Sequence, residues 1–165
     1  SSLIHMVLGW HKGDFKVLKD EAGLSEAMRR FNIEPGDYLM PRAESMAAMG
    51  SPEFKARLAQ GPNLFMTVRP NGMSSMGKML GLWFGYSLIV SLFAAYVSGR
   101  ALGQGADYLH VFRFAGVTAF SGYTLALWQG WVWWGKSLRY TLLSTFDGLI
   151  YALVTAGAFG WLWPR

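Results

Sequence analysis

The spacing of apolar and polar positions divides the chain into a mixed stretch and a largely apolar one. Across residues 11–73 the apolar positions come in short runs broken by charge. Leu24, Ala27, Met28 and Phe31 fall at i, i+3, i+4 and i+7, one stripe of a helix predicted over about 21–31 with Asp20 as its cap. "SPEFKARLAQGP" offers a serine cap, a proline at the first helical position and Gly61-Pro62 beyond the end, so a second helix is predicted over about 52–60. Pro35-Gly36 suits a tight turn, and "DYLM" after it and "NLFMTVR" read as short strands. Together they predict a small α+β insert with too few residues to bury much core of its own.

From residue 74 the pattern changes. Residues 79–99 and 114–135 contain no Asp, Glu, Lys or Arg, and residues 140–164 contain only Asp147. At 1.5 Å per helical residue, each stretch reaches across a hydrocarbon core of ~30 Å. Helices are predicted at about 76–99, 108–134 and 139–163. The links 100–107 and 135–138 are short enough to force antiparallel neighbours. The opening "SSLIHMVLGW" is apolar but spans only about 15 Å as a helix. With Trp10, His11 and Lys12 at its end it reads as the last part of an N-terminal transmembrane helix, partial or complete, and nothing in it resembles a secretory signal. The expected fold is an all-α integral membrane helical bundle with a small α+β extramembrane insert. It has an N-terminal helix ending at residue 10, the insert at 11–73 and three complete transmembrane helices in 74–165.

Composition agrees with that reading and narrows the partners. Hydrophobic residues make up 52% and charged residues 15%, well under the roughly 25% of a soluble domain. The net charge of +5 would suit a nucleic-acid partner, but the basic residues gather at helix ends rather than on one folded face. The expected partners are the lipid bilayer and other membrane subunits or further copies of the chain, with no nucleic acid. Lys12, Lys16, Lys19, Arg69, Lys78, Lys136 and Arg139 fall on the side of the insert, against Arg100, Arg113 and Arg165 on the other. The positive-inside rule therefore puts the insert in the cytoplasm. The absence of cysteine removes disulfides, iron–sulfur clusters and thiolate chemistry.

Small residues recur every fourth position in the apolar stretches. Gly148, Ala152, Ala156 and Gly160 do so in the last helix, Gly122, Ala126 and Gly130 in the one before, and Gly81 and Gly85 in the first. Such rows let helix backbones approach closely in lipid. Four of the eight tryptophans, Trp128, Trp131, Trp133 and Trp134, crowd the end of the third segment just before Lys136 and Arg139. At 100° per residue they ring the helix rather than converge, so they predict an interfacial belt, with Trp10, Trp161 and Trp163 at the other ends.

Asp147 is the one acid inside an apolar span, and an intramembrane carboxylate needs a partner. By depth the candidates are His5, Lys78, Tyr123 and Gln129, giving an expected polar cluster that acts as a helix-packing bridge or, in a sharper reading, a proton or ion relay. Arg113 is shallow enough to snorkel, with Asp107 and His110 within reach. His5 and His11 fall far from His110, which disfavours a haem held by two histidines, and one histidine does not make a metal site. No metal and no cofactor is expected; a bound lipid is compatible with the helix surfaces, a pigment is not favoured.

Trp10-His11, Asp20-Glu21, Gly36, Tyr38 and Pro41, then Gly61-Pro62 and three apolar helices, resemble the pattern of a family of uncharacterised bacterial inner-membrane proteins. In that family a complete apolar helix precedes the Trp-His pair, whereas this sequence starts within it. The resemblance implies a multi-pass protein of the bacterial inner membrane and brings no activity. No Ser-His-Asp order, HExxH, Walker loop or paired carboxylates occur. The sequence thus predicts a non-enzyme: an accessory, scaffolding or assembly subunit of a membrane complex. A small transporter or proton conductor using Asp147 is the alternative, and an enzyme acting on lipids lacks a nucleophile.

Overall fold

A computed structural model describes residues 9–164. The chain forms two compact units: residues 17–73, and residues 74–164 together with the described residues up to Lys16.

The first unit holds helix α1 (Glu21–Arg29), strand β1 (Gly36–Met40), helices α2 (Met46–Met49) and α3 (Pro52–Gln60), and strand β2 (Leu64–Val68). Its helices start where side-chain oxygens meet unpaired N–H groups. Asp20 accepts from Gly23 N–H at 2.9 Å, Ser45 from Ala48 at 3.1 Å and Ser51 from Phe54 at 3.1 Å. The two strands pair antiparallel with Gly36 opposite Val68 and Met40 opposite Leu64. Across the ladder, Thr67 donates its hydroxyl to Asp37 at 2.6 Å. Phe54 is this unit's one buried large apolar side chain, so little surface is removed from water.

The second unit is helical: α4 (Met76–Ala101), α5 (Tyr108–Thr124), α6 (Leu127–Trp134) and α7 (Leu138–Leu162). Ser75 and Ser137 cap α4 and α7. Among the described residues, α4 and α7 are the two helices long and apolar enough to cross a membrane. Only 11% of the apolar window of α4 and 22% of that of α7 is buried by the rest of the chain, unlike the core helix of a water-soluble domain.

The third predicted span, 108–134, is not one helix. It stops at Thr124 and resumes at Leu127. Leu125 and Ala126 keep right-handed helical angles, but the next N–H groups reach back three residues, from Trp128 to Leu125 and from Gln129 to Ala126. Three hydroxyls load the turns before the break, with Thr118, Ser121 and Thr124 donating to the carbonyls of Phe114, Val117 and Phe120. Such back-bonding bends helices. What remains of α5 reaches about 26 Å, short of a full crossing. The three complete spans expected from charge-free stretches therefore reduce to two. The N-terminal helix expected over residues 1–10, and His5 with it, lies outside the described residues except for Gly9 and Trp10.

The helices meet along small residues. The extensive contact is α5 against α7, where Gly148, Ala152 and Ala156 are buried as their spacing predicts. Gly160 lies against the Tyr108 ring, and a Cβ on Gly116 would stand 3.1 Å from that of Ala156. On α5 the buried row is Val111, Ala115 and Ala119, not the row through Gly122, Ala126 and Gly130. Gly122 faces Val90 of α4, Gly130 faces the Lys136 side chain, and Ala126 is exposed. On α4 the buried row is Val90, Ala94 and Ser98. Among the described residues nothing stands within 4 Å of a Cβ on Gly81 or Gly85, so neither forms part of a packing face among them.

Candidate functional site

Asp147 lies nine residues into α7, about 13 Å from its start. It is 4% exposed. A 3₁₀ turn at Trp10–Gly13 lies against α7 and brings Trp10 and His11 to Asp147. The Trp10 indole N–H donates to Asp147 Oδ1 at 3.2 Å, and His11 Nε2 lies 2.9 Å from Asp147 Oδ2. The other edge of the same imidazole meets a second carboxylate, His11 Nδ1 standing 2.5 Å from Asp14 Oδ2. Asp14 in turn accepts from Arg139 Nη1 at 2.6 Å, and Arg139 Nη2 donates to the Trp10 carbonyl at 2.9 Å. The Trp10 ring closes the cluster edge-on against Phe146, with centroids 5.6 Å apart.

Local sequence explains the geometry. "WHKGD" folds as one tight turn, which puts His11 and Asp14 within hydrogen-bond reach at i and i+3. Arg139 and Asp147 stand eight residues apart on α7, so one turn of chain laid beside that helix touches both.

The contacts of His11 suit the imidazolium form. An ionised carboxylate only accepts, so with Asp14 and Asp147 both ionised each ring nitrogen carries a proton. Burial would pull the imidazole down, but the hydrogen bonds and charges of Asp14 and Asp147 outweigh it and raise His11 above its ordinary 6.5. Imidazolium and guanidinium then balance two carboxylates, and these four groups sum to zero. Two carboxylates at opposite edges of one ring do not converge on a point. Among the described residues no group of His, Asp and Glu is arranged to hold a metal ion.

Beside Asp147 opens a cavity of about 310 Å³ among the four helices of this unit. Trp83, Tyr86, Tyr123 and Tyr151 form an aromatic wall with ring centroids 5.5 to 6.3 Å apart, and Tyr140 and Ser144 add hydroxyls. The Tyr86 hydroxyl donates to the Gly122 carbonyl at 2.6 Å. Tyr123 thus shares a cavity with Asp147 as the sequence suggests. Lys78 and Gln129 are exposed and bond to neither Asp147 nor its cluster, and His5 lies outside the described residues. Depth along the helices puts Lys78 and Gln129 near the level of Asp147, but both side chains are exposed.

By sequence, Trp10 and His11 belong at the membrane exit, with no link to Asp147. The legible signal was the His11–Asp14 spacing in "WHKGD", which marks a fixed imidazole. Trp10, expected in the belt, is a partner of the buried acid. Trp128 and Trp131 pack edge-on with centroids 6.1 Å apart. Trp133 and Trp134 point outward, and Gly135, in the left-handed region at φ 64°, ends α6 with Lys136 N–H bonded back to Gly130. Trp161 is exposed, and Trp163 donates to the Gly103 carbonyl at 3.0 Å. Arg113 is exposed and pairs with neither Asp107 nor His110.

Fold and site define a mostly helical protein with two membrane-length helices and a charge-balanced clasp around one buried acid. No protein-family model, curated protein or solved structure matches the chain.

Proposed function

We propose that this chain is a non-catalytic, multi-pass accessory or scaffolding subunit of a membrane complex, in the bacterial inner membrane that its sequence pattern resembles. The observation that carries the reading is α4. Outside the strip of Val90, Ala94 and Ser98 and the Trp83–Tyr86 contact with α5 and α7, much of its apolar surface is left uncovered by the described residues, with Phe84, Leu88, Leu92 and Phe93 all more than half exposed. Such a surface suits lipid or a partner helix. The clasp supports the same reading, because it ties the buried acid to the chain itself. Native membranes test it. The chain should stay in the pellet after alkaline carbonate and, in mild detergent, run within a larger assembly; a stable partnerless monomer overturns the subunit reading.

One observation favours a second reading, proton or ion conduction. The aromatic cavity reaches Asp147, and His11 and Asp14 continue the line of titratable groups. Proton flux into proteoliposomes that Asp147→Asn abolishes would select that reading; equal flux with and without the protein would remove it.

A further inference from the structure

A second cavity of about 310 Å³ runs along the seam of α5 and α7, walled by Phe112, Val117 and Phe120 on one side and Leu149 and Leu153 on the other. Its lining is wholly apolar, Arg113 contributing its hydrocarbon stem at one end. Arg113 comes five residues after Tyr108, about 8 Å along α5. At that end α5 begins beside the end of α7: Gly105 N–H bonds to the Pro164 carbonyl at 2.9 Å, and Trp163 holds the 102–107 link through Gly103. Tyr108, Trp161 and Trp163 there mark headgroup level. Arg113 lies just beneath it, exposed and forming no ion pair among the described residues.

An uncompensated guanidinium at that depth is costly, and its long stem lets the head rise toward the phosphates. The anion a bilayer supplies there is the lipid phosphodiester, and the apolar seam begins at the same residue. We infer that this seam is a binding site for one anionic glycerophospholipid, its phosphate on Arg113 and one acyl chain laid between α5 and α7. The cavity is at the small end of ligand sites, which fits a length of acyl chain with the rest of the lipid in the bilayer.

The inference rests on the membrane reading, and the test separates the two. The full chain is taken into nanodiscs with equal phosphatidylglycerol and phosphatidylcholine, and the lipids it retains are counted by native mass spectrometry. Phosphatidylglycerol should be retained about five-fold over phosphatidylcholine, the preference one arginine gives at a membrane surface. Arg113→Gln should bring the ratio near about one, and Arg113→Lys should keep most of it. Val117→Trp, which fills the seam from an exposed position, should reduce retention of both lipids. Equal retention by the unaltered chain, or an unchanged preference in Arg113→Gln, overturns the site while leaving membrane insertion standing. Release of the chain by carbonate overturns both.

Discussion

Asp147 occupies a position where an unpaired charge is costly, and its neighbours set what that charge does. The side chains of Asp147 and Asp14 are 5% and 2% exposed, so each bond to His11 is made largely out of water. Removing one partner leaves the others unsatisfied, and that asymmetry sets the expected effect. Asp147→Asn should lower the unfolding temperature in detergent by the equivalent of about 1–3 kcal/mol, and His11→Gln should do the same; a smaller change in both would mean the clasp is not made. The clasp should also respond to pH. His11 is raised above 6.5 in the folded chain, so its contribution is complete below that value and is lost as pH rises through the raised one. Unfolding temperatures measured between about pH 5.5 and 8.5 should show the gap between wild type and His11→Gln closing toward the alkaline end. A gap that widens with pH would contradict the imidazolium assignment.

At the scale of elements, helix starts and small-residue packing were partly legible. Asp20, Ser51, Ser75 and Ser137 each cap the helix that follows, because a short side-chain oxygen beside the first N–H groups is a local matter. Which small residues pack was not local. The α7 row at Gly148, Ala152 and Ala156 is buried, while a Cβ on Gly81 or Gly85, spaced in the same way, would meet none of the described residues. Gly148→Ala would push a methyl into the Thr124 side chain and to 3.2 Å from Tyr123 Cβ, so a loss of about 1–3 kcal/mol is expected. Gly81→Ala should be neutral or gain up to about 1 kcal/mol from helix propensity. Thermal unfolding of the pair decides it, and equal losses would mean that α4 packs through that face. The break at Leu125–Ala126 escaped a reading by charge and hydropathy because apolar character runs straight through it.

For the whole molecule, the composition shift near residue 74 coincides with a boundary between compact units. Residues 70–75 are exposed and lie in neither helix nor strand, and so do residues 15–19 except for the turn at Lys19. A broad-specificity protease under native conditions should cut first within these two stretches, as fragment masses will report. First cuts inside α1 or α3 would show that the unit between them is not independently ordered.

The sequence by itself determined where α1, α3, α4, α5 and α7 begin, roughly where the two strands lie, which stretches are free of charge, and that Asp147 is a lone acid among them. Those follow from period, capping and composition, which act over a few residues. Tertiary structure decided that α4 and α7, but not the segment between them, are membrane-length helices. It also decided which small residues meet, and that Asp147 is held by Trp10 and His11 with Asp14 and Arg139 behind them. Depth along a helix is a sum of rises and can be counted from sequence. The direction a side chain faces, and which distant turn is laid beside it, depend on how helices pack, and no local pattern encodes that.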